Sequence, residues 1–479
     1  MSHTVEKIGG RSIADTKTIL ENVLLAGRTG AAVYNRIFVV SAYAGMTNRL
    51  LEHKKTGAPG IYALFAEGGA DAPWNEALTD LARAMTEKNG EIFDQSEALA
   101  TADRFIRERV ENVRSCLRDL HRLCAFGPFT LHQHLATVRE MLAGLGEAHA
   151  AHNTALLLKS RGINAVAVDL TGWRDEEELS LDDRIVRTFA EIDLQRTLPI
   201  VTGYVRCAEG MAKTYDRGYT EVTLSRIAAL TGAREAVIHK EFHLSSADPL
   251  LVGADRVRKI GCTNYDVADQ LSNMGMEAVH PKAAKRLRQA GIPLRVKNTF
   301  DARDEGTVVD GAFVSDGPRV EIITGLANVL SLELFEQDMV GVKGYDASLL
   351  EALTRHNIRI VSKCSNANTI THYVDCERES LERAAEELRA LYESAEIIIR
   401  PVAIVSVIGS DLDAPGLVAR ASGALAAAEV TLLGISQLTR RVDLQLIVPP
   451  EQFGPAVKAL HARLIEDDGN KGGRLRSAA

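Results

Sequence analysis

The sequence holds no run of ~18 or more apolar residues, the length a bilayer-spanning helix needs, so no membrane segment is expected. It begins Met1-Ser2-His3-Thr4-Val5-Glu6-Lys7 and has no basic stretch leading into an apolar one, so no secretory signal is expected either. Cysteine is sparse: six residues (Cys116, Cys124, Cys207, Cys262, Cys364, Cys376) stand singly, without a C-x-x-C pair. That usage points to reduced thiols in a cytoplasmic protein. No Cys/His group has metal-ligand spacing, and His149 and His152, three apart, lack a third ligand, so no metal-ligating residues are assigned. A basic excess is also missing. With 56 Lys and Arg against 64 Asp and Glu the net charge is −8, which argues against nucleic acid as a partner.

What is present is an ordinary globular composition, 46% hydrophobic and 25% charged. At ~100–200 residues per domain, 479 residues suggest two to four domains. Arg36 to Ala42 is a nearly continuous apolar run, as in a strand buried on both faces of a parallel sheet. Strands are also expected at Asn164–Asp169, Leu198–Val205, Ala236–His239 and Leu294–Lys297. Helices are expected at Ile13–Ala26, Glu221–Leu230, Val267–Met274 and His280–Ala290. This alternation predicts a three-layer αβα domain over 1–315, with a helical insertion at about 75–140. Downstream, two segments of similar length, 320–398 and 399–466, share the order β-α-β-β-α of ferredoxin-like units. The first begins with a strand at Val329–Leu334, and the second includes one at Val430–Ile435. Residues 467–479 read as a flexible tail.

Several segments could carry chemistry. Lys7-Ile-Gly-Gly-Arg-Ser12 lies at a strand-to-helix turn, where glycines admit close backbone approach and a helix start offers N–H groups to an anion. A tight turn with a surface lysine is the bland alternative. Val39-Val-Ser-Ala-Tyr-Ala-Gly-Met-Thr-Asn48 brings Ser41 and Thr47 to the next strand tip, where α/β sheets bind ligands; both could equally be helix caps. Arg217-Gly-Tyr-Thr-Glu221 opens a helix and suits a carboxylate or phosphate, or a plain N-cap through Thr220. Glu147, alone in a charged helix, carries little local signal. Asp248-Pro249 and His280-Pro281 are turn signals.

Taken in order, Lys7-x-Gly9-Gly10-x-Ser12, Val40-Ser41-Ala42-x-Ala44-Gly45-x-Thr47-Asn48, Gly146-Glu147, Thr202-Gly203-Tyr204, Arg217-Gly218-x-Thr220-Glu221, Asp248-Pro249, His280-Pro281 and Gly306-Thr307 resemble the aspartokinases of the amino-acid kinase superfamily. The resemblance spans the chain, includes a pair of ACT-like units and extends to the divergent branch associated with ectoine-making bacteria. It implies a phosphotransferase that makes 4-phospho-L-aspartate from ATP and L-aspartate, with Mg²⁺, at the start of aspartate-family amino-acid and ectoine synthesis. Lys7 would steady the γ-phosphoryl group and Glu221 would orient Lys7. Gly9, Gly10, His239, Lys240 and Asp248 would bind nucleotide. Ser41, Thr47, Glu147, Tyr204, Arg217 and Thr220 would bind aspartate, with Glu147 on its ammonium and Arg217 on a carboxylate. The ACT-like units imply a homo-oligomer, a homodimer or larger, and feedback by an amino acid.

The sequence departs from the family at Arg11, Tyr219, Glu221 and Glu277, and His239-Lys240 replaces the usual Thr-Asp at the adenosine-seating strand tip. Two alternatives follow: a kinase for another carboxylate such as glutamate, and an amino-acid sensor on a degenerate kinase scaffold. Retention of Lys7, Ser41, Thr47, Glu147 and Arg217 weighs against the sensor.

Overall fold

The computed structural model describes residues 2–54, 56–94, 97–215, 218–276, 279–437 and 439–467. Of the residues discussed above, Arg217, Glu277 and the tail from 468 onward lie outside the described residues. The chain divides into two compact units, 1–243 with 280–311, and 244–279 with 312–479. The first unit is thus discontinuous: residues 244–279, within the expected 1–315 stretch, cluster with the second.

The first unit is built on a mainly parallel sheet. Five strands are β1 (Thr4–Ile8), β2 (Arg36–Val40), β3 (Ala165–Val168), β4 (Leu198–Thr202) and β5 (Glu235–Lys240). Their spatial order is β3-β4-β2-β1-β5, followed by Leu294–Asn298 and Thr307–Val309. All these neighbours pair in parallel except the last two, which are antiparallel. The apolar run at 37–40 is buried along its whole length, as a strand covered on both faces must be. Leaving any of Ile37, Val39 or Val40 exposed would forfeit roughly 1.5–3 kcal/mol.

Helices Ala72–Ile92 and Glu97–Cys124 fill the expected insertion. Each buries one stripe at helical spacing: Trp74, Leu78, Leu81 and Met85 in the first, Ala102, Ile106, Val110, Val113 and Leu117 in the second. The next helix, Leu135–Ser160, is different. From Leu142 to Ala151 every residue is buried, polar ones included, because it packs on β3 and β4 and against neighbouring helices. Glu147 therefore sits in the interior, not on a solvated face. The helix expected at Ile13–Ala26 is broken into Gly10–Ala14, Thr16–Ile19 and a π-turn at Leu20–Leu25, with Asp15 capping at the first break.

The second unit carries a six-stranded antiparallel sheet in the order Arg359–Ser365, Thr369–Asp375, Ile322–Phe335, Glu396–Ile408, Asp443–Val448, Gly434–Gln437. Both repeats keep the order β-α-β-β-α, with helices Tyr345–Arg355, Arg378–Leu391, Leu417–Ala427 and Phe453–His461. Their first strands pair with one another and fuse the repeats into one sheet. The strand expected at Val430–Ile435 starts later, at Gly434, after Glu429 turns the chain with φ 56°. Residues 244–279 join this unit through Ala247 and Val252, buried in the second repeat's core, and through a 2.9 Å hydrogen bond between Ser246 Oγ and His461 Nε2.

Candidate active site

The carboxyl ends of β1, β2, β4 and β5 meet at one edge of the first unit's sheet, where open α/β sheets place their ligands. Backbone bonds lock the tips together: Gly9 N donates to His239 O (3.4 Å), Ser41 N to Ile8 O (3.2 Å) and Gly203 N to Val40 O (3.0 Å). Two glycines are there for space. A Cβ on Gly10 would lie 2.6 Å from the Ala42 carbonyl oxygen, and one on Gly203 would lie 2.4 Å from Thr220 Cγ2. Any side chain at either position would force the tips apart.

Lys7 projects from β1 toward helix Tyr219–Thr231. Its Nζ lies 3.3 Å from Glu221 Oε1, and each side chain is 13% exposed. The other Glu221 oxygen accepts from the His280 backbone N–H. Burial alone would push the Glu221 carboxyl up, but Lys7, Lys240 and the His280 N–H together hold it below the usual range. Glu221 is thus ionised and fixes the Lys7 ammonium at the strand tip.

A second cluster lies beside the first. Ser41 Oγ donates to Thr220 Oγ1 (3.3 Å), which donates to Glu147 Oε1 (3.0 Å). The Tyr204 N–H donates to Glu147 Oε2. Glu147 is 2% exposed, and among the described residues it makes no ion pair. Burial pushes its carboxyl up to about 8, while Thr220, Tyr204, Lys7 and the Ala42 backbone pull only partly against that. The acid is therefore largely neutral at pH 7 and is surrounded by neutral donors. The Tyr204 hydroxyl donates to Glu140 Oε2 (2.6 Å), and Tyr204 and Glu140 also line a cavity of about 520 Å³.

The remaining sequence-chosen residues fall out unevenly. Gly9 and Gly10 form the turn after β1, and Thr47 is half-buried in helix Met46–Leu50. Lys240 is close enough to act on Glu221 electrostatically. The His239 ring is not brought to the cluster. It hydrogen-bonds Glu6 Oε2 at 2.8 Å, and Glu6, next to Lys7 on β1, faces the opposite side of the sheet. Only the His239 carbonyl reaches the glycine turn. Asp248 belongs to the second unit, where it caps helix Pro249–Val252 by accepting from Leu250 N (2.8 Å).

Three participants escaped sequence reasoning. Glu241 Oε1 accepts from Ser12 N (3.1 Å) and Ser12 Oγ (2.9 Å), placing a carboxylate at the glycine turn. Its only signal was its place just beyond the tip of β5. The His280 N–H that holds Glu221 belongs to a His-Pro pair that in sequence signals only a turn, and Glu140 carries no signal.

Comparison with known proteins places the chain in a family. A model of the amino acid kinase family matches residues 3–298, and one of the ACT domain matches residues 397–462. Aspartate kinase Ask_Ect of Stutzerimonas stutzeri is 50% identical over 466 residues, covering 97% of this chain and 98% of that protein. The chain belongs to the aspartokinases of the amino acid kinase family. A more distant aspartokinase, from Geobacillus stearothermophilus, is 26% identical across 67% of this chain and 80% of its own. The fold matches Escherichia coli aspartokinase III, solved with aspartate and ADP, at a TM-score of 0.72 and 20% identity, covering 97% of this chain and 100% of that one. Clostridium acetobutylicum aspartate kinase matches at 0.72 and 19% identity, covering 96% and 100%.

Proposed function

We propose that this aspartokinase transfers the γ-phosphoryl group of ATP to the side-chain carboxylate of L-aspartate, giving 4-phospho-L-aspartate and ADP. The observation that carries the reading is the pairing of two unlike carboxyls at one strand edge. Glu221 is ionised against Lys7, while Glu147 is buried without a cation. An amino-acid ammonium supplies the cation that Glu147 lacks, and on arrival it draws the carboxyl into its charged form. Ser41 and Thr220 are tied to Glu147 and present hydroxyls for the substrate's polar groups. Arg217, just before Gly218, supplies a guanidinium for a substrate carboxylate. That the Escherichia coli relative of this fold was solved with aspartate and ADP supports aspartate as the substrate.

The acceptor carboxylate, with an ordinary pKa near ~4, is already a nucleophile, so no general base is needed. The demand is for in-line placement and for positive charge against two anions. Lys7 meets the transferring phosphoryl group, held by Glu221, with Lys240 beside it. The Gly9–Gly10 turn lets backbone N–H groups approach the phosphates. ATP enters as its magnesium complex, so the metal comes with the substrate. The protein works in the cytoplasm, where that co-substrate is made.

The repeats of the second unit support a homo-oligomer regulated by an amino acid, as the lysine-bound T-state of the Escherichia coli relative suggests. The decisive assay traps the acyl phosphate with hydroxylamine. Aspartyl hydroxamate forming only with aspartate, ATP and Mg²⁺ together is expected; product with glutamate in place of aspartate, or none at all, overturns the reading.

A further inference from the structure

The sheet face opposite Lys7 is unusual for a parallel sheet, whose strands are normally apolar on both sides. By register, Thr4 and Glu6 of β1 share that face with Arg36 of β2, with Glu235 and His239 of β5, and with Arg295 and Lys297 of the next strand. The π-turn at Leu20–Leu25 covers only part of this row, its Val23 and Leu24 carbonyls accepting from the Arg36 guanidinium. The broken segment after the glycine turn leaves a groove of about 770 Å³ over it, within the size range of small-molecule sites. The groove reaches the amino ends of the strands, at Ser2 and Arg234, whereas the catalytic cluster occupies the carboxyl ends.

The charges in the groove are of two kinds. Some are matched: Arg36 makes a two-point bond to Glu6 (2.7 and 3.0 Å), and Arg295 pairs with Glu235 (2.8 Å). Arg28, Arg234 and Lys297 also line the groove, yet none has an ion-pair partner among the described residues. Burial pulls Arg28 and Lys297 below their ordinary range; Glu6 opposes the shift in each case, Glu235 also at Lys297, while neighbouring arginines add to it. Five cations, Arg28, Arg36, Arg234, Arg295 and Lys297, line the groove against three carboxylates, Glu6, Glu235 and Glu305; the excess cations repel each other, and a bound anion relieves that repulsion.

We propose that this groove is a second ligand site, separate from the catalytic cluster, that holds a multiply charged small anion of the phosphorylated or polycarboxylate class through Arg28, Arg234 and Lys297. A singly charged anion would leave part of the excess unmatched, and the groove's volume suits a larger occupant.

The test is calorimetric titration of the full chain with inorganic pyrophosphate and, separately, with citrate. The chains compared are wild type, Lys7→Ala, Arg28→Gln, and Arg28→Gln with Lys297→Gln. Binding that survives Lys7→Ala, weakens severalfold in Arg28→Gln and at least ~10-fold in the double variant is expected, as for loss of charge-assisted contacts. It should also weaken with added salt. Arg28 is exposed, so its single variant stays informative if the double variant folds poorly. Pyrophosphate alone binding in this pattern identifies a phosphorylated ligand; citrate binding alike widens it to polycarboxylates. No binding of either anion, or binding that vanishes in Lys7→Ala and persists in both Arg28 variants, overturns the proposal.

Discussion

Replacing Glu147 with glutamine separates what this residue costs the fold from what it gives the site. Its carboxyl is raised from an ordinary 4.5 to about 8, chiefly by burial. At ~1.4 kcal/mol per pH unit, ionising it in the folded protein costs roughly 5 kcal/mol more than in the unfolded chain. The direction follows from linkage. A raised folded-state pKa means that the folded protein holds its proton longer, so stability is fully present below about pH 4.5 and is lost as pH rises toward 8. Glutamine cannot ionise, yet its amide can still accept from Tyr204 N and donate to the Thr220 hydroxyl. Any fixed packing difference is the same at every pH. Unfolding of wild type and Glu147→Gln, compared at pH 5 and pH 9, should therefore show the variant gaining several kcal/mol relative to wild type at the higher pH. The same variant should lose about 10- to 100-fold in aspartate affinity, the worth of a charge-assisted hydrogen bond. Equal stability offsets at both pH values would refute the reasoning, because Glu147 would then already be ionised in the ligand-free fold.

Other substitutions test the remaining roles. Lys7→Ala should lower kcat by ~10²-fold or more, as loss of one preorganised charge at a transferring group does, measured by hydroxamate formation at saturating substrates. Near wild-type turnover would remove Lys7 from the chemistry. Arg217→Ala should raise the KM for aspartate well above any change in the KM for ATP; equal rises would misplace the carboxylate pocket. Glu241 sets a negative charge on Ser12 at the glycine turn, where phosphates would approach. Glu241→Gln should lower the KM for ATP severalfold, and an increase would mean that this carboxylate supports the magnesium complex instead.

Much of the fold could be read in the sequence because its signals are local. The run at 37–40 is apolar on both faces and became a strand covered on both faces. The insertion expected to be helical at about 75–140 holds the helices Ala72–Ile92 and Glu97–Cys124. The glycine turn after Lys7 needed only its own residues to suggest close backbone approach. What stayed hidden depends on pairing between distant strands. His239 looked like a cleft residue until its register opposite Ile8 turned it toward Glu6, away from Lys7. Glu147 carries little signal of its own because the helix that holds it is buried by neighbours distant in sequence. Residues 244–279 pack in the second unit through a few contacts such as Ala247 and Ser246, which no periodicity announces.

The most direct measurement is a structure of the protein with aspartate and a non-hydrolysable ATP analogue. The account predicts the Lys7 ammonium within ~3 Å of a γ-phosphate oxygen and a Glu147 carboxylate oxygen within ~3 Å of the aspartate ammonium, the span of charge-assisted hydrogen bonds. Aspartate bound with its ammonium away from Glu147, or a γ-phosphate out of Lys7's reach in a closed complex, would contradict it.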